Sequence, residues 1–296
     1  MGILSHIEKL RERAEHSVSS LPALMVKSET LADNIIHGEH ARRKSGSGEK
    51  FWQFREYDTS DRPQDIDWRQ SAKGDQVFIK QKEWQITRKI FLWCAGGKSM
   101  AFSSAAPMQT KQENAQTIAL SLALLLRKAK EQIGIFGETR TGRSEETIEK
   151  IARFLLKQAD KDDVLPDMHA LNLPRHAFFM GVGDFLSPIE EIEECFKSLS
   201  AQTQSALIIQ TLDPAEIDLA YTGRIRFQGT DNDQEIINHV SSVRQNYHTR
   251  INAHIEAVKD LCHSYNWHYI LHRSDHDIED TLKTLWNILD TGENKR

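Results

Sequence analysis

Cysteine is scarce in this 296-residue chain: Cys94, Cys195 and Cys262 stand far apart and form no CxxC pair. That spacing excludes a zinc ribbon or disulfide framework and predicts reduced, partly buried thiols in a cytoplasmic protein. Long apolar runs are missing too, since none reaches the roughly 20 residues that a membrane-spanning helix requires. From Met1 to Ser20 the chain is broken by Glu8, Lys9, Arg11, Glu12, Arg13 and Glu15, so no signal peptide or anchor is expected there. Neither sign of charge dominates: a net charge of -5 with 27% charged residues gives no global electrostatic case for nucleic-acid binding. GxSxG and HExxH are absent, which removes the serine-hydrolase elbow and the zincin helix.

What the chain does have is an apolar run that ends in glycines. Between Thr87 and Met100, Ile90-Phe91-Leu92-Trp93-Cys94 lead into Ala95-Gly96-Gly97-Lys98-Ser99, the pattern of a central strand buried on both faces. Ligands of open α/β sheets sit past the carboxyl end of such a strand, so Ala95–Ser99 is the first place to look for a function. The turn offers little chemistry. It holds no carboxylate, histidine or cysteine, and only Lys98 and Ser99 are polar.

Before this strand, Leu4, Ile7 and Leu10 make a weak helical stripe, and a second helix is predicted from Pro22 to Ile36. Gly38 to Lys50, with Arg42-Arg43-Lys44, reads as a solvated loop. Phe51–Tyr57 and Val77–Trp84 read as two strands of an accessory hairpin-like unit, with a helical turn at Ile66–Gly74 between them. After it, Ala115, Ile118, Leu122 and Leu125 mark a helix, Gln132–Phe136 a strand, and Ser144 the cap of a helix burying Ile148, Ile151 and Leu155. His176–Val182 is a strand ending in Gly183-Asp184-Phe185-Leu186, and Ser187-Pro188 start the next helix. Ala206–Leu212 is a strand, Tyr221–Phe227 an edge strand, and Gln234–Cys262 one long amphipathic helix. Trp267–Leu271 and a helix through Ile278, Leu282, Leu285 and Leu289 close the chain. The alternation predicts an α/β fold: a mainly parallel sheet with helices on both faces. The expected division is 1–85, a helical N-terminus with a β-rich accessory unit, and 86–296, the α/β domain.

Three groups of residues invite a chemical reading. Gly97-Lys98-Ser99 resembles the end of a phosphate-binding loop, but the glycine required five positions earlier is Leu92, and Pro107 interrupts the helix that should follow. His263, His268, His272 and His276, with Asp275 and Asp277, suggest a metal, but they read as scattered histidines and not as a ligand set. His169 and His176 have no recognisable nucleophile partner. Phe51 to Tyr57 together with Ile66-Asp67-Trp68-Arg69 is richer in aromatics, arginine and aspartate than a plain strand requires. It reads either as an accessory core with an Asp67–Arg69 polar anchor or as a binding surface, because Trp, Tyr and Arg dominate interface hot spots.

These residues resemble the family known as domain of unknown function 58. The resemblance rests on Gly48-Glu49-Lys50-Phe51, Arg55-Glu56-Tyr57, Ile66 to Lys73, the Lys80–Glu83 strand, Leu92-Trp93 with Ser99-Met100, and Gly183 to Leu186. It implies a von Willebrand factor A-like, Rossmann-like domain with a small N-terminal helical and β-rich extension, and a partnership with AAA+ ATPases of the MoxR type. It also implies a metal-ion-dependent adhesion site built on an Asp-x-Ser-x-Ser turn, which is degenerate here: Ala95 stands at the aspartate, Gly97 at the first serine, and only Ser99 remains. Asp184 matches another acid of that site. Ser60-Asp61-Arg62-Pro63-Gln64 departs from the family's Gly-Asp-Asp pattern. From these substitutions Lys98 is expected to supply the missing positive charge and pair with Asp184.

The resulting expectation is a non-enzymatic adaptor without cofactor, metal ligand or catalytic residue, binding a protein partner, with no nucleic-acid partner and no membrane span. Its site residues are Lys98, Ser99 and Asp184 in the cleft, and Arg55, Tyr57, Asp67, Trp68 and Arg69 on the interaction surface. The rival reading is a metal- or phosphate-dependent enzyme using Asp184 and the Gly97–Ser99 turn.

Overall fold

A computed structural model describes residues 29, 32, 53–57, 66, 68–74, 76–81, 88–104, 109–158, 161, 164–167, 173–174, 177–229 and 234–291. The chain divides into two units, one of residues 38–87 and one of 1–37 with 88–296. In the smaller unit β1 (Gln53–Glu56) and β2 (Phe78–Gln81) pair antiparallel, with Arg55 opposite Ile79, and the short helix α1 (Trp68–Ser71) lies between them in sequence. The expected strands and helical turn are present there, and Ala72 N–H closes the turn on the Trp68 carbonyl at 3.0 Å. The expected stripe at Leu4–Leu10, the loop with Arg42-Arg43-Lys44, Ser60–Gln64, Pro107, His169 and His176 lie outside the described residues, as does most of Pro22–Ile36.

The larger unit is built on six strands: β3 (Lys89–Cys94), β4 (Gln132–Ile135), β5 (Thr141–Gly142), β6 (Ala177–Gly183), β7 (Thr203–Leu212) and β10 (His268–Arg273). Across the sheet they stand in the order β10-β7-β6-β3-β4-β5. All neighbours are parallel except β5 on β4. Every residue of β6 is buried, as are Ile90–Cys94 of β3. Strand side chains alternate between faces, so an unbroken buried run means that both faces of the sheet are covered. The cover consists of α2 (Lys111–Lys128), which packs on α3 (Glu145–Gln158) and α7 (Ile278–Thr291), and of α4 (Ile189–Ser200), which packs on α6 (Val240–Ser264). A five-residue helix, α5 (Pro214–Asp218), follows β7. The fold is the expected mainly parallel α/β sheet between helices. Among the described residues no helix is long and apolar enough to cross a membrane.

Two expectations are corrected in the segment before β10. Gln234–Cys262 is not one helix: Gln234–Ile237 forms β9, and α6 begins at Val240. The strand expected at Tyr221–Phe227 is β8 (Ile225–Gln228), and it pairs with β9 in a separate antiparallel ribbon, not with the central sheet. Ile236 opens the helical spacing in the sequence, but in the ribbon it stands opposite Arg226 and is exposed. In the sequence, Gly229-Thr230-Asp231-Asn232-Asp233 is a turn-forming composition, a signal against a helix that starts at Gln234.

Candidate functional site

The carboxyl ends of β3, β6 and β7 lie side by side at one edge of the parallel sheet, the crevice position of an open α/β fold, and three local structures bring side chains together there. The first is the start of α2. Thr110 accepts from Glu113 N–H at 3.1 Å while Glu113 accepts from Thr110 N–H at 2.9 Å, a reciprocal cap that fixes the helix entry. Lys111, the first helical residue, is thereby turned inward and is fully buried.

The second is the turn after β6. Phe185 adopts a left-handed backbone, φ 46°, and is held there by its neighbours. Its ring packs on Trp93 and Phe196 at centroid distances of 5.9 and 6.0 Å, and His254 Nε2 meets its carbonyl at 2.7 Å. Asp184 beside it is 2% exposed. Gln210 Nε2 donates to the Asp184 carbonyl at 2.8 Å and takes the Tyr269 hydroxyl on its own oxygen at 2.6 Å.

The third is α5, capped by Asp213, whose Oδ1 accepts from Ala215 N–H at 2.8 Å. Its Oδ2 accepts from Ser104 N–H at 3.0 Å, which ties the loop before α2 to the end of β7. Glu216 returns the cap by accepting from Asp213 N–H at 2.9 Å, and the Tyr247 hydroxyl donates to its carbonyl at 2.5 Å.

These three structures meet at one ammonium. Lys111 Nζ lies 3.0 Å from Asp184 Oδ2 and 2.7 Å from Glu216 Oε1. Burial raises the Glu216 carboxyl above its ordinary range, and the lysine beside it opposes that shift. Burial, with the Glu216 charge nearby, pushes the Tyr247 phenol up to about 12. The lysine thus donates hydrogen bonds to both acids and joins α2, the turn after β6 and α5 at one point.

The turn after β3 completes the crevice. Ala95 is wholly buried, and a Cβ built on Gly183 would lie 2.7 Å from its Cβ, so the two strand ends pack without spare room. The Gln112 side-chain amide donates to the Ala95 carbonyl at 3.2 Å. Ser99 Oγ is buried with no hydrogen-bond partner among the described residues. Gly96 faces the end of α3, where a Cβ would collide with the Gln158 carbonyl and stand 2.7 Å from the Lys161 carbonyl. The turn therefore looks onto the negative end of a helix, the reverse of a phosphate cradle. Magnesium is no better served: it needs several hard oxygens, whereas this turn supplies one hydroxyl and the Asp184 carboxylate is committed to Lys111.

Of the expected cleft residues, the structure brings Asp184 and Ser99 to the crevice and corrects the partner of Asp184. The ammonium facing it is that of Lys111; Lys98 is exposed on the turn. On the accessory unit, the Arg55 backbone lies in β1, Tyr57 is half-buried with its N–H on the Val77 carbonyl at 2.7 Å, and Trp68 and Arg69 are exposed. Asp67 lies outside the described residues. Lys111, Asp213 and Glu216 are the residues that sequence reasoning missed. Their signals were two capping boxes, Thr110-x-x-Glu113 and Asp213-x-x-Glu216.

Among the described residues, no group of three or more His, Cys, Asp or Glu could hold a metal ion. No curated protein and no solved structure matches the chain. The family described as protein of unknown function DUF58 matches residues 53–257, a span from β1 into α6 that takes in the whole crevice, and the chain belongs to that family.

Proposed function

We propose that this protein is a non-enzymatic adaptor: a von Willebrand factor A-like domain with a degenerate adhesion site, presenting its surface to a MoxR-type AAA+ ATPase. The observation that carries the reading is the buried Lys111 bridge. Asp184 and Glu216 are the acids best placed to recruit a cation, and both are neutralised from within by an ammonium 3.0 and 2.7 Å away. With both acids paired to Lys111, the site favours a recognition scaffold over a cation-binding one. The carbonyls facing Gly96 argue against phosphate at the same turn. Trp68, 68% exposed on the accessory unit, is the kind of side chain that anchors a protein interface.

The reading is tested by recovering the chain from its native host in the presence and absence of a magnesium chelator, and by thermal unfolding with Mg²⁺ or ATP. An ATPase that co-purifies in both buffers, with an unfolding temperature unmoved by either ligand, is the expected result. Stabilisation by Mg²⁺ or ATP, which reports binding to the folded state by mass action, would overturn it in favour of an enzyme.

A further inference from the structure

His272 is a buried imidazole that the crevice does not use. It lies in β10, is 1% exposed, and reaches across to the closing helix: Nδ1 meets Thr281 Oγ1 of α7 at 2.8 Å. Its other nitrogen, Nε2, has no hydrogen-bond partner among the described residues. The residue in register with His272 on β7 is Thr211. Paired residues of adjacent strands project from one face of the sheet, and Thr211 too is fully buried with its hydroxyl unpartnered among the described residues. Among the described residues the neutral ring thus has one hydrogen bond, and that bond joins sheet to helix.

A protonated ring would carry two N–H donors and a full charge in the same place. Asp275 and Asp277 on the turn after β10 favour that charge and His276 opposes it. The first turn of α7 carries Glu279 and Asp280, β7 carries no titratable side chain, and α2 carries Lys111 and Glu113 at its start and Arg127 and Lys128 at its end. Burial outweighs the acids and holds His272 at about 4. We infer that His272 is an acid-operated latch on α7: neutral, it ties the helix to the sheet through Thr281, and its protonation favours a state in which α7 has lifted and the ring meets water. Because α7 packs on α2, the latch also bears on the helix that carries Lys111.

The sign follows from the open ring titrating near its ordinary 6.5 and the closed ring near 4. The latch holds fully above 6.5 and weakens as the pH falls, with opening rising about 20-fold from pH 7 to pH 5 by linkage. Hydrogen exchange of the α7 amides in the full chain at both pH values reads this directly, with α4 as internal reference. The expected result is an opening of α7 that grows about 20-fold relative to α4 in the wild type and stays flat in His272→Gln. An equal response in both proteins, or none in the wild type, overturns the proposal. NMR titration of the His272 ring decides independently of any variant: titration near 4 with α7 closed supports the latch, and titration near 6.5 overturns it.

Discussion

Lys111 Nζ lies 3.0 Å from Asp184 Oδ2, and neither side chain is more than 3% exposed. Removing one member of such a pair strands the other charge in a medium that cannot solvate it, which costs about 3–5 kcal/mol. Lys111→Ala is expected to lose that much in denaturant unfolding. The double variant Lys111→Met/Asp184→Asn should lose markedly less than the sum of its single changes, because it leaves no bare charge at Asp184. Glu216 tolerates the loss better: its side chain is 19% exposed, and burial already biases it toward the neutral acid. Additive losses would mean that the pair is not coupled.

The crevice also makes a prediction about restoring an acid. Ala95→Asp would place a carboxylate at a fully buried position packed against Gly183. Without a partner it should destabilise by about 2 kcal/mol or more, and Mg²⁺ should not recover the loss, since Asp184 remains bound to Lys111. Thermal unfolding of the variant with and without Mg²⁺ checks this; recovery by the ion would show that the crevice still accepts a cation. Gly96→Ala should be harsher, about 3 kcal/mol or more, because backbone carbonyls of residues 158 and 161 would have to move.

The sheet was legible because its central strands are uninterrupted apolar runs, and the crevice was legible because glycines mark the end of β3. The lysine was not. Lys98 stands on the glycine turn itself and invited the pairing, whereas Lys111 stands outside that turn, and sequence distance does not choose between them: Lys111 is 73 residues from Asp184 and Lys98 is farther still. Sequence marks where α2 begins, through Thr110 and Glu113, but which side chain of its first turn faces inward is decided by elements far along the chain. The ribbon of β8 and β9 was missed for a related reason: Ile236 and Val240 are four apart, as in a helix, and periodicity cannot tell that the first pairs with a strand.

The three thiols give a pH prediction. Burial pushes Cys94, Cys195 and Cys262 up from 9.0 to about 12. Below about pH 9 the thiols are neutral in folded and unfolded chains alike, and their contribution is fully present. Above it the unfolded thiols ionise while the buried ones do not, so stability falls as the pH rises from 9 toward 12. Alkylation at pH 8 should be negligible in the native protein and complete in denaturant, because the thiolate is the reactive form. Rapid native labelling of any of the three would show that its surroundings open.

Lys130 and Asn266 end their helices in the same way with unequal side chains. Lys130 has φ 66° after α2, with Glu131 N–H on the Leu126 carbonyl and Lys130 N–H on the Arg127 carbonyl. Asn266 has φ 55° after α6, with Trp267 N–H on the Cys262 carbonyl and Asn266 N–H on the His263 carbonyl. Both are left-handed helix endings of the kind that glycine favours, and asparagine tolerates the conformation better than lysine. The turn at Lys130 also delivers Glu131 to Arg88, whose N–H and Nε donate to its carboxylate at 2.7 and 3.1 Å as the chain enters β3. The exposed Lys130 side chain contributes little to that arrangement, so Lys130→Gly should keep it and relieve the strain, with a gain of about 0.5–1 kcal/mol. Asn266→Gly should gain only a few tenths. Denaturant midpoints of the two variants decide it, and a loss at Lys130→Gly would mean that the lysine side chain holds the turn.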